Sequence, residues 1–158
     1  MPRTTCSYYN RGLAYFHSRR LAKALEDYTA AIRLNPQHSK ALSNRGTTRY
    51  DLGDLRGALE DYEAALVLDP VQAGVWFSLA LTHKLLGDYP AAIEGYTRCL
   101  ALDLDNPDGY NNRANAYYEQ GDYSRALRDY EQATLLRPNN SEYWYRLAVH
   151  RLQVSVGK

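Results

Sequence analysis

Residues 21–36 read LAKALEDYTAAIRLNP, and residues 55–70 read LRGALEDYEAALVLDP. The same frame returns as YPAAIEGYTRCLALDL at 89–104 and YSRALRDYEQATLLRP at 123–138. Tyr28, Tyr62, Tyr96 and Tyr130 stand 34 residues apart. Each follows an alanine by four residues (Ala24, Ala58, Ala92, Ala126) and precedes a leucine by six (Leu34, Leu68, Leu102, Leu136). A period held through four copies without slippage predicts a stack of one supersecondary unit.

Within the stretch, Leu21, Ala24, Leu25, Tyr28, Ala31 and Ile32 recur at helical spacing and form one apolar face. Pro36, Pro70 and Pro138 close the helix, because proline cannot continue it; the third copy has Leu104 instead. Working outward, each stretch is preceded by a turn: Ser18-Arg19-Arg20, Gly53-Asp54, Gly87-Asp88 and Gly121-Asp122. Glycine is free to take positive φ, and aspartate is placed to cap the helix that follows. Before each turn lies a second helical pattern. It carries Tyr8, Gly12, Tyr15 and Phe16 in the first copy and Leu42, Gly46 and Tyr50 in the second. The third has Trp76, Leu79, Ala80 and His83, and the fourth Tyr110, Ala114 and Tyr117. From Ser141 only this upstream helix is repeated, with Trp144, Leu147 and Ala148 in the places of Trp76, Leu79 and Ala80.

The expected organisation is all-α: a single domain over 1–158, with copies at 5–38, 39–72, 73–106 and 107–140. A final helix at 141–154 covers the apolar face of the fourth copy, and residues 155–158 form a frayed tail. One helix pair cannot bury both of its faces alone, so copies stack.

Composition narrows the function. The formal charge is +1, and no basic stripe marks a nucleic-acid or anionic-membrane surface. No apolar run approaches the ~18 residues of a membrane span, and Met1-Pro-Arg-Thr-Thr lacks the apolar core of a secretory signal. Cys6 and Cys99 are the only cysteines; far apart in different kinds of position, they suggest no disulfide framework and favour a reduced, cytoplasmic setting. His17, His38, His83 and His150 are scattered without metal-ligand spacing, and the glycines fall at turn and packing positions rather than in a phosphate loop. No catalytic residue, metal or cofactor is expected.

The 34-residue pattern resembles the tetratricopeptide repeat family over residues 5–154. The resemblance rests on the large residues Tyr8, Leu42, Trp76, Tyr110 and Trp144 and the small residues Gly12, Gly46, Ala80, Ala114 and Ala148. It rests equally on the four alanines and four tyrosines of the second helices, on Ala31, Ala65, Cys99 and Ala133, and on the closing prolines. Tyr15 and Tyr117 match the family's next aromatic, from which Arg49 and His83 depart. The resemblance implies a right-handed superhelix of antiparallel helix pairs whose first helices line a concave groove, and it implies protein or peptide binding there.

Two residue patterns then stand out. Asn-Arg recurs at Asn10-Arg11, Asn44-Arg45 and Asn112-Arg113, and an aspartate follows each arginine by 16 residues: Asp27, Asp61 and Asp129. The third copy has Ser78-Leu79 and Gly95, losing both partners together. That joint loss predicts bidentate pairs within copies, Arg11–Asp27, Arg45–Asp61 and Arg113–Asp129. The asparagines lie ~100° away around the helix, where the resemblance places them on the groove as a ladder holding a peptide backbone; an amide donates and accepts at once. Tyr9, Tyr50, Phe77, Asn111, Asn115 and Tyr118 surround them and suit peptide contact. The family's clamp for a terminal carboxylate is not expected, since Ser43, Thr47, Ser78 and Asp108, or in the other register Tyr9, Leu13, Asn44 and Gly74, stand at its basic positions. The reading is a non-catalytic interaction module with a peptide-binding groove. A self-assembling structural unit, and a fragment of a larger protein whose activity lies elsewhere, remain the alternatives.

Overall fold

A computed structural model of the chain describes residues 4–156. Among these residues there are nine α-helices and no strand. They are α1 Thr5–His17, α2 Leu21–Leu34, α3 Ser39–Asp51, α4 Leu55–Leu68, α5 Ala73–Leu85, α6 Tyr89–Leu102, α7 Pro107–Glu119, α8 Tyr123–Leu136 and α9 Ser141–Val156. The last helix runs to Val156 rather than Val154, so residues 155–156 continue it; Gly157 and Lys158 lie outside the described residues. The chain divides into two compact units, residues 1–82 and 83–158, with the division falling inside α5.

In the first unit α1 packs on α2, α2 on α3 and α3 on α4. Its core gathers Leu42, Ala58, Tyr62, Ala65, Leu66, Val75 and Leu79. In the second unit α6 packs on α7, α7 on α8 and α8 on α9, around Ala114, Tyr117, Ala126, Tyr130 and Leu147. Along α1–α4 and along α6–α9, successive helices thus rest on one another as in a solenoid. The frame-setting tyrosines are the largest fully buried side chains, together with Tyr143. The small residues opposite them are needed for close approach: a methyl group on Gly12 would sit 2.8 Å from the Tyr28 ring.

The turns explain where the helices start. Gly53, Gly87 and Gly121 take φ of 85°, 80° and 79°. The aspartates that follow cap the next helix: Asp54 accepts from the Gly57 amide at 3.0 Å, Asp88 from Ala91 at 3.2 Å and Asp122 from Arg125 at 2.9 Å. The first copy does without either device. Arg19 adopts φ of 59°, and Arg20 caps α2 with no side-chain hydrogen bond. A left-handed non-glycine residue costs roughly 1–2 kcal/mol, and a good N-cap contributes about 1 kcal/mol. The exposed Arg19–Asp51 pair recovers little of this. Replacing Arg19→Gly with Arg20→Asp should therefore stabilise the protein by about 1 kcal/mol after the greater freedom of glycine in the unfolded chain is subtracted. A lower urea midpoint for the double variant would show that this turn is not strained.

The final helix departs from the expected register of burial. Trp144 and Ala148 are exposed, whereas Tyr143 and Leu147 are only 2% and 3% exposed. The reason lies in which neighbour each face meets. The Tyr143 position corresponds to Gly109, which lies against Leu100 of the preceding helix; the Ala148 position corresponds to Gly12, which lies against the following helix. Among the described residues α9 has a preceding helix and no following one. The Trp144 indole still donates to the Pro138 carbonyl at 2.8 Å, as Trp76 does to Pro70 at 2.9 Å.

Candidate functional site

The paired charges come first, because they fix the helices that carry everything else. Arg11 Nε and Nη2 donate to the two Asp27 oxygens at 2.6 and 2.7 Å. Arg45 does the same to Asp61 at 2.8 and 2.6 Å, and Arg113 to Asp129 at 2.7 and 2.9 Å. All three are the bidentate pairs expected within copies. They differ in depth: Arg11 keeps 55% of its side chain exposed, Arg45 only 16% and Arg113 17%. Arg49, standing where the pattern otherwise has an aromatic, also reaches Asp61 at 3.0 Å and donates to the Gly57 carbonyl at 2.9 Å. These pairs hold first and second helices together and are structural.

One residue back, the asparagines have three different environments. Asn10 is exposed on α1. Asn44 is half-buried and donates from Nδ2 to the Tyr9 hydroxyl at 3.2 Å. Tyr9 in turn tilts against His38 with ring centres 4.8 Å apart. Tyr9, Asn44 and Tyr50 thus lie half-buried on the helices of the first unit, and Phe77 is half-buried on α5.

In the second unit the amides are engaged inwardly. Asn112 accepts from the Lys84 ammonium at 2.7 Å and donates to the Asp108 carbonyl at 2.9 Å. Asn115 accepts from the Tyr130 hydroxyl at 2.6 Å and from Arg146 at 3.1 Å. Asn111 is buried and its amide oxygen has no partner. Tyr118 rests on His150 at 4.2 Å and on Tyr123 at 5.1 Å. Burial and the nearby Arg146 charge push the Lys84 ammonium below its ordinary range, since both disfavour a second positive charge. Arg146 was not singled out from the sequence. Arg146 stands where α1, α3 and α7 have Asn10, Asn44 and Asn112 and α5 has Ser78, and that substitution is its one signal.

A second missed group ties down the start of α9. The Tyr143 hydroxyl donates to Asp108, which also meets Arg137 at 3.3 Å, and Arg137 donates to the Tyr143 oxygen at 3.3 Å. These residues come from three separate elements, so no spacing rule links them.

A recess of about 100 Å³ opens in the first unit between Leu13, Phe16, His17, Tyr28, Asn44 and Thr47. The cysteines lie apart from these features: Cys6 is exposed, while Cys99 is fully buried with its thiol pushed up to about 11 by burial. A thiol held protonated in this way is a poor nucleophile. No helix of the described residues is long and apolar enough to cross a membrane.

Comparison with known proteins agrees with the repeat frame. The tetratricopeptide repeat model matches residues 6–38 and 107–140, and a TPR repeat model matches 46–87 and 84–121. No curated protein matches the chain by sequence. Among solved structures, the MamA protein is 23% identical with a TM-score of 0.90, over 95% of this chain and 82% of that one. YrrB, described as a TPR protein with an unusual peptide-binding site, is 17% identical with a TM-score of 0.88, over 97% of this chain and 79% of that one. The first TPR of Spaghetti (RPAP3), solved bound to the HSP90 peptide SRMEEVD, is 22% identical with a TM-score of 0.72, over 75% of this chain and 94% of that one. At these identities the likeness is one of fold. The helix pairs, the 34-residue frame and the matched models together establish that the chain belongs to the tetratricopeptide repeat family.

Proposed function

We propose that the chain is a non-catalytic interaction module that binds an extended protein or peptide segment along its first helices. The observation that carries this reading is the half-buried face of the first unit, where Tyr9 and Asn44 meet at 3.2 Å beside an open recess. Aromatic area and amide groups together suit peptide contact, because tyrosine offers large contact area at low entropic cost and an amide can pair with backbone. Asn10, Asn44 and Asn112 with Tyr9, Tyr50, Phe77, Asn111, Asn115 and Tyr118 are the contact residues of this reading, in a single domain acting in the cytoplasm. The peptide-bound state of the Spaghetti domain and the peptide site of YrrB support it by analogy of fold.

A random dodecapeptide display library tests it. The intact chain should enrich peptides, and the Asn44→Ala/Asn112→Ala variant should bind them at least ~10-fold more weakly, about 1.4 kcal/mol. The double variant should retain its fold by circular dichroism. Unchanged affinity would remove the amides from the site. Absence of enriched peptides, with a sedimentation coefficient that grows with concentration, would favour the self-assembly reading.

A further inference from the structure

One residue in the wall of the first unit's recess carries a buried polar group with no hydrogen-bond partner. Tyr28 is fully buried, lines the recess, and its hydroxyl has no hydrogen-bond partner. Two of the three equivalent tyrosines show what is missing. Tyr62 donates to the Thr47 hydroxyl at 3.3 Å and Tyr130 to the Asn115 oxygen at 2.6 Å. Both acceptors stand 15 residues before their tyrosine, and the residue 15 before Tyr28 is Leu13. The first copy therefore has an apolar wall in place of the acceptor, and the third copy likewise has Leu81 in that position. A buried hydroxyl left unbonded is unfavourable, and it is rare enough to need an explanation. Burial, and secondly the neighbouring Tyr9, push the Tyr28 phenol up to about 12.

The other walls define what fits. Leu13 and Phe16 are apolar. The Thr47 hydroxyl is already committed, donating to the Ser43 carbonyl at 3.1 Å and accepting from Tyr62. Asn44 uses one N–H on Tyr9, and its amide oxygen accepts from no described residue. The recess thus offers a hydroxyl donor from Tyr28, the amide oxygen and second N–H of Asn44, and the His17 imidazole at its edge. Arginine and lysine are absent from its lining, so no permanent positive charge meets a carboxylate there. At about 100 Å³ it is well below the several hundred Å³ of a small-molecule site.

We infer that this recess is a specificity subsite for a single uncharged carboxamide side chain, glutamine or asparagine, of a bound segment. The carboxamide oxygen accepts from Tyr28 and its N–H donates to Asn44, while the stem lies against Leu13 and Phe16. The inference rests on the peptide-binding reading above and adds a residue preference to it.

The test uses the same random dodecapeptide library on the intact chain and on Tyr28→Phe. The wild type should enrich glutamine or asparagine at one fixed position, and Tyr28→Phe should still select peptides but without that preference. For one selected peptide, changing the carboxamide residue to leucine should weaken binding to the wild type at least ~10-fold and leave binding to Tyr28→Phe unaltered. Leu13→Asn, which supplies the acceptor found at Asn115, should fill the recess, raise the melting temperature and lose the preference. Peptides enriched by both proteins with the same residue profile would overturn the subsite while leaving the interaction module intact, and would assign the hydroxyl to water. No enriched peptide with either protein overturns both readings.

Discussion

Truncation after Asn140, which removes α9, should cost the second unit at least ~5 kcal/mol and leave α7 and α8 with little protection against amide exchange. The helix buries Tyr143 and Leu147 almost completely, and Leu147 sits in one cluster with Ala114, Tyr117, Ala126 and Tyr130. Large-to-alanine changes at such positions cost about 2–5 kcal/mol for leucine and about 3–5 for an aromatic ring. Deletion removes both and also uncovers the Tyr130 face that His150 stacks on at 4.7 Å. Asp108 and Arg137 lose the Tyr143 hydroxyl at the same time. Set against a typical total of about 5–15 kcal/mol, the loss takes most of the margin. Hydrogen exchange by mass spectrometry reads the result directly. Full protection of α7 and α8 in the truncated chain would show that α9 contributes nothing to their stability. Trp144→Ala is the internal comparison: its indole is half exposed, so its cost should be much smaller than that of Leu147→Ala.

Asp61→Ala should destabilise the first unit by about 3–5 kcal/mol, the cost of stranding a buried charge. Asp61 is 3% exposed and holds Arg45 at 2.6 Å and Arg49 at 3.0 Å, so one substitution strands Arg45 and leaves Arg49 with only the Gly57 carbonyl and Asp54. The desolvation of Arg45 has already occurred in the fold, and water cannot easily replace the lost carboxylate. Arg45→Leu with Asp61→Ala should recover most of the loss, because removing both partners of a buried pair is often close to neutral. The third copy already has a leucine in that place, Leu79, opposite Gly95. Asp27→Ala should cost much less, since Arg11 keeps most of its surface in water. The three variants are compared by chemical denaturation. Equal losses for Asp61→Ala and Asp27→Ala would mean that burial does not set the strength of these pairs.

The parts legible in the sequence are those in which one residue constrains another at fixed spacing. The 34-residue frame marks the helix pairs, and the joint disappearance of arginine and aspartate in the third copy marks the three ion pairs. The turns were legible where Gly-Asp marks them, and the left-handed Arg19 was not, because arginine gives no sign that φ is positive. The site was harder to read for a related reason. Asn10, Asn44 and Asn112 occupy equivalent places, yet their partners come from residues that differ between copies: Tyr9 beside Asn44, Lys84 beside Asn112. Register fixes which side of a helix a residue occupies, and the neighbour across the gap decides whether its hydrogen bonds are spent. The same holds for Tyr28, whose orphaned hydroxyl follows from the single leucine at position 13.

The ion pairs also set where this chain can be cut and rejoined. Each arginine lies on the first helix of its copy and its aspartate on the second. A chimaera joined at a copy boundary carries each pair over whole. A chimaera joined at the turn inside a copy, for example one that places the helix of Leu79 before the helix of Asp61, inherits half a pair and strands a carboxylate. For recombination the indivisible cassette is therefore the whole 34-residue copy, and the single helix is not an exchangeable part.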